Sequence, residues 1–106
     1  MSQAPPRAYV ISEVEIVDEQ LGDRYRQLAA ASIAAHGGCY LVRGAEPTAA
    51  EGEWRAGRRL VIVEFPDREA VERWYASPEY AGARVLSATA LERRLLFADG
   101  TGAPDA

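Results

Sequence analysis

The sequence contains no lysine; all twelve of its basic side chains are arginine. Schiff-base catalysis and covalent attachment of pyridoxal phosphate are therefore excluded. The one cysteine, Cys39, allows neither an intrachain disulfide nor CxxC chemistry, which agrees with a reducing compartment. With one histidine, His36, a histidine-based metal site would have to be completed by carboxylates, and nothing signals such a site, so no metal is expected. No apolar run approaches the roughly 20 residues that span a bilayer, and Met1 to Arg7 has no apolar segment fit for a signal peptide. The expected location is the cytoplasm. Positive charge is scarce as well: the formal net charge of −4 disfavours nucleic acid and anionic membrane as partners. The basic run Arg55, Arg58 and Arg59 beside Trp54 could hold a phosphate or carboxylate, but a solvated loop is the preferred reading. There is no Ser-His-Asp order, phosphate-cradling glycine loop or nucleotide fingerprint, and no cofactor is expected.

What the sequence does contain is organised around Arg59 to Tyr80. Leu60 to Phe65, stopped by Pro66-Asp67, reads as a strand. Asp67 can cap a following helix on whose apolar stripe Ala70, Val71, Trp74 and Tyr75 lie. Ser77-Pro78 closes that helix and opens another, with Ser77 as cap and Pro78 at the first helical position. The other elements follow in order. Ala8 to Val17 is a strand with Val10, Val14 and Ile16 on one face and Tyr9, Ile11, Glu13 and Glu15 on the other. Asp18 caps a helix carrying Leu21, Tyr25, Leu28 and Ile33, which Gly37 ends. Gly38 to Gly44 is a strand, Ala45 to Gly57 a long loop, and Leu91 to Ala98 the last strand, with Leu91, Arg93, Leu95 and Phe97 on one face. Residues 8–98 thus form one domain between flexible tails, 1–7 and 99–106.

Strand, helix, strand, strand, helix, strand is the ferredoxin-like βαββαβ order, an α+β sandwich with a four-stranded antiparallel sheet and its helices on one face. An internal echo agrees with it: a shift of 49 positions places Glu15 on Glu64, Asp18 on Asp67, Arg24 on Arg73 and Tyr25 on Trp74. The uncovered face would show Tyr9, Ile11, Leu60 and Ile62 to water, so a sheet-to-sheet homodimer is expected.

The segments VIVEFPDREAVERWYASPEY, GGCYLVRG and EGEW resemble the bacterial family known as domain of unknown function 1330, of the dimeric α+β barrel superfamily. The likeness covers Ala8 to Ala98 and rests on Glu64-Phe65-Pro66, Trp74-Tyr75 and Ser77-Pro78-Glu79-Tyr80 in register with Gly37-Gly38 and Arg43-Gly44. It implies a ferredoxin-like protomer pairing as a dimeric α+β barrel, with a pocket between sheet and loops, and no established activity. Cys39 and His36 depart from the residues more frequent in that family at their positions.

For catalysis the candidates are His36, Glu64 and Arg43. His36 ends a helix and can pass protons at neutral pH, against a plain role in bonding helix-end carbonyls. Glu64 could act as general acid or base, against an ion pair with Arg43, whose planar fork suits a carboxylate or enolate oxygen. Trp54, Tyr80, Glu51 and Tyr9 are the candidate ligand contacts. Three functions stay open: a cofactor-independent monooxygenase, cyclase or isomerase acting on a small molecule, a dimeric binding module for a small hydrophobic acid, and a structural homodimer.

Overall fold

Burial alternates along β1 (Ala8–Ile16), with Ala8, Val10, Ser12 and Val14 buried and the residues between them partly open. That period of two separates a covered from an open face of the sheet. The computed structural model describes residues 5–102, so positions 1–4 and 103–106 of the expected tails lie outside the described residues. After β1 come α1 (Glu19–Ala35), β2 (Cys39–Ala45), β3 (Arg59–Phe65), α2 (Arg68–Ala76), α3 (Pro78–Ala90) and β4 (Leu91–Asp99). The four strands pair antiparallel in the order β2-β3-β1-β4, the ferredoxin-like sandwich, with β1 and β3 central. β4 runs one residue further than expected, because Asp99 pairs with Ala8 and binds Arg68 at 3.2 Å.

Capping explains where the helices start. Asp18 accepts from the Leu21 N–H at 3.0 Å and Asp67 from the Ala70 N–H at 2.8 Å, so the two aspartates related by the sequence echo do the same work. Ser77 accepts from the Tyr80 N–H at 3.2 Å and donates to the Trp74 carbonyl at 2.7 Å, breaking the helical run into α2 and α3. Gly37 follows α1 with φ +79°, a conformation that glycine adopts without Cβ strain.

The core lies between the covered face and the helices, with Val63, Phe65, Val71, Trp74 and Tyr80 at its centre. Trp74 satisfies its indole N–H by donating to Ser32 Oγ at 3.0 Å. Pairing also aligns rows across the sheet. On the covered face Val14 stands between Arg59 of β3 and Arg93 of β4. On the open face Leu96, Ile11, Ile62 and Val42 make one apolar row across all the strands.

β2 is irregular. It carries an extra residue at Leu41 and another at Gly44, whose φ is +79°. The first bulge puts Tyr40 and Arg43 on one face, although strict alternation would separate residues three apart.

Candidate functional site

Between α1 and the covered face of the sheet lies a cavity of about 530 Å³. Its floor is mainly apolar, built by Val10, Val14, Val61 and Val63 around the single hydroxyl of Ser12, and Trp74 closes one side. The long loop that was expected to border the pocket contributes only Gly57.

The polar end of the cavity is built from three residues on three elements. Arg93 of β4 donates through Nη1 to the Tyr25 hydroxyl at 2.6 Å and through Nη2 to the Tyr80 hydroxyl at 2.9 Å. The two hydroxyls lie 2.8 Å apart and share one further hydrogen bond. Either hydroxyl can donate in that bond; we assign the donor role to Tyr80, which has no exposed surface, so that its O–H is spent inside the cluster, on Tyr25. The Tyr25 oxygen then accepts from both neighbours, and its own O–H is left free to point into the cavity that Tyr25 borders.

Among the described residues no carboxylate pairs with Arg93 within salt-bridge distance. Burial opposes the Arg93 charge, but the Tyr25 and Tyr80 oxygens outweigh it, and its pKa lies above the ordinary arginine value. Burial, followed by the neighbouring Tyr80, drives the Tyr25 pKa well above that of a free phenol. At neutral pH the cluster is therefore a fixed cation with a neutral phenolic donor beside it.

At the other end the bulged strand supplies Arg43, whose guanidinium lies 4.1 Å from the centre of the Tyr40 ring. Burial raises the Tyr40 pKa, against the lowering effect of Arg43. Arg59 donates to the Gly44 carbonyl at 3.1 Å, which ties the two glycine-flanked segments at the mouth.

The residues singled out from the sequence fall into four places. Arg43 borders the cavity and Tyr80 sits behind it, bonded to Arg93. Tyr9 and Glu64 meet on the open face of the sheet, where the Tyr9 hydroxyl donates to Glu64 at 3.1 Å and Arg7 stands 3.8 Å from the same carboxylate. The hydrogen bond to Glu64 and burial raise the Tyr9 pKa. Glu64 is opposite Cys39, and Arg43 opposite Val61 on the other face, so the expected Glu64–Arg43 pair does not form. His36 bonds Glu79 of α3 at 2.8 Å, which holds that carboxylate below its usual pKa. Trp54 donates to the Arg58 carbonyl at 3.0 Å, beside a shallow depression, and Glu51 is exposed in the loop.

The arginine run is not simply solvated. Arg58 is buried and holds Glu92 at 2.7 Å, and Arg55 stands within 3.8 Å of Glu15 and Glu92. Arg93, Tyr25 and Tyr40 are the cavity residues that the sequence reading leaves out. The signal for Arg93 is its place between Leu91 and Leu95 on an apolar stripe, where a charge calls for a reason. Tyr25 reads as an ordinary core position. Tyr40 carries no signal, because the bulge that turns it inward is invisible to a count of alternation. Among the described residues no group of histidine, cysteine, aspartate and glutamate could hold a metal ion, and no helix is long and apolar enough to cross a membrane.

Several solved structures share the fold. The RPA0582 protein of Rhodopseudomonas palustris, of unknown function, superposes with a TM-score of 0.75 at 14% identity, covering 96% of this chain and 88% of that one. A conserved protein of unknown function from Bacteroides thetaiotaomicron gives 0.66 at 14% identity over 91% and 99% of the two chains. SnoaB, a cofactor-independent oxygenase from Streptomyces nogalater, gives 0.65 at 12% identity over 95% and 99%. No curated protein matches the sequence. Residues 7–101, nearly the whole chain, match the family described as "Domain of unknown function (DUF1330)", and the protein belongs to that family.

Proposed function

We propose that the protein is a homodimer that binds a small organic molecule in the cavity between α1 and the sheet, seating one oxygen of that molecule on Arg93 and Tyr25. The observation that carries this reading is the Arg93–Tyr25–Tyr80 cluster: a guanidinium fixed by two phenols, facing a cavity with an apolar floor. A few converging polar groups in an apolar concavity are the usual form of a small-molecule site. Fixing Arg93 in advance removes much of the entropy cost of organising it around a ligand.

The open sheet face supports the dimer. Leu96 is 48% exposed and heads the row that continues through Ile11, Ile62 and Val42. Covering these partly exposed side chains contributes about 1 kcal/mol each, a large part of the stability of a domain of this size. Sedimentation at micromolar concentration should give twice the 11.5 kDa chain mass, and a monomer alone would overturn the dimer.

A cofactor-independent enzyme is the second reading, favoured by the free Tyr25 O–H beside the Arg93 cation and by the fold shared with SnoaB. Such a pair can stabilise negative charge developing on a carbonyl oxygen, and the phenol can supply a proton. A panel of small aromatic acids, amides and ketones, with and without dioxygen, separates the readings. In a binder Tyr25→Phe weakens affinity alone. In an enzyme it lowers turnover far more than affinity. Failure of every compound to bind saturably would overturn both.

A further inference from the structure

We infer that the molecule seated on Arg93 is an organic acid bound as its carboxylate, with an apolar or aromatic body lying over Val14 and Val61. The inference rests on the cavity being the ligand site and concerns what that site selects.

The first argument is charge. The charged side chains bordering the cavity are Arg26, Arg43, Arg59 and Arg93 against one carboxylate, Glu19. Arg26 is engaged by Asp23 on its own helix. Among the described residues Arg43, Arg59 and Arg93 have no carboxylate within salt-bridge distance, although the chain as a whole carries a net charge of −4. An acidic protein that gathers unpaired arginines around one concave, partly desolvated space focuses a positive potential there.

The second argument is position. Arg93 and Arg59 stand on either side of Val14 in one row of the sheet, two strand spacings apart, or about 10 Å between backbones. Arg43 borders Val61 in the next row, brought inward by the bulge at Leu41. Cations thus rim an apolar floor, which suits a molecule with an acid head and an apolar body.

The third argument is hydrogen-bond capacity. A guanidinium has five N–H donors, and Arg93 spends Nη1 and Nη2 donors on phenols, which are neutral acceptors. The free Tyr25 O–H lies beside it. A carboxylate offers two acceptor oxygens with about four lone-pair sites, enough to take the phenolic donor and a remaining guanidinium donor together. A primary amide of the same shape offers one acceptor oxygen and sets its NH2 donors against the cation.

The test is calorimetric titration of the full chain with matched pairs: benzoate with benzamide, cinnamate with cinnamamide, and 2-naphthoate with 2-naphthamide. Each carboxylate is expected to bind at least tenfold more tightly than its amide. Arg93→Lys should keep part of that preference and Arg93→Gln should remove it, while Arg55→Gln, at the separate loop depression, should leave it unchanged. Acids and amides binding equally well to the wild-type chain would overturn the inference while leaving the cavity as a site. Absence of saturable binding by either class would overturn it together with the site. The comparison on the wild-type chain decides the matter even if Arg93→Gln fails to fold.

Discussion

Replacing Tyr80 with phenylalanine is the sharpest probe of the cluster behind the cavity. The change deletes one oxygen that has no exposure to solvent and that takes part in two hydrogen bonds, 2.9 Å from Arg93 and 2.8 Å from Tyr25. A bond to a charged donor is worth about 1.5–3 kcal/mol and a neutral one about 1 kcal/mol. Arg93 borders the cavity and can recover part of the loss through water, so the expected net cost is about 2–3 kcal/mol. In a domain of this size that lowers Tm by roughly 10–20 °C. Tyr25→Phe removes the bonds to Arg93 and Tyr80, but Tyr25 borders the cavity and water can replace its hydroxyl, so about 1 kcal/mol is expected. The two phenols share one bond, which each single variant already loses. The double variant should therefore cost less than the sum of the singles, by about 1 kcal/mol. Urea unfolding at one fixed protein concentration measures all three, since the proposed dimer would make stability concentration-dependent. Strict additivity, or a Tyr80→Phe cost below about 0.5 kcal/mol, would refute the cluster as a coupled unit.

Three further outcomes follow from the same geometry. Tyr25 has its folded pKa raised, so its contribution to stability is fully present below the unfolded phenol value near 10 and is lost as pH rises from there toward the folded value. The urea midpoint should fall between pH 9 and 11, and less so in Tyr25→Phe. Gly38→Ala would set a Cβ 2.6 Å from Ile33 Cγ2 and 2.9 Å from two ring atoms of Phe65, all in the core, so a loss of about 1–3 kcal/mol is expected in the same assay. Asp18→Ala and Asp67→Ala should each cost about 1 kcal/mol, because each removes the cap of one helix of the internal echo; a large effect at one and none at the other would argue against equivalent roles.

The elements themselves were legible in the sequence because each boundary has a local cause. Asp18, Asp67 and Ser77 cap where their side chains reach an open backbone N–H, Pro78 starts α3, and Gly37 follows α1 in a left-handed conformation. The strand faces were legible too, since β1 pairs with both β3 and β4 in unbroken register, so that all three keep a period of two. The site was less so. Glu64 attracts notice as a carboxylate on a central strand, yet its alternation with Val63 and Phe65 sends it to the open face, where Tyr9 is its neighbour. Arg43 and Tyr40 share the cavity through a bulge at Leu41 that no local residue announces. His36 and Glu79, distant in sequence, meet because α1 packs along α3, a tertiary fact that no spacing encodes. Arg93 was legible as an anomaly, a charge on the apolar stripe of β4, but its partners came from helices whose rotation only packing fixes.

The central claim, that ligands enter the cavity beneath α1, can be read from the two tryptophan indole N–H signals in a proton–nitrogen correlation spectrum. Trp74 borders the cavity, and Trp54 lies beside the separate loop depression. Trp54→Phe assigns the pair. Titration with 2-naphthoate should move the Trp74 signal saturably and leave that of Trp54 in place, and Arg93→Gln should abolish the movement. Movement of the Trp54 signal alone, or no movement of either, would contradict the claim.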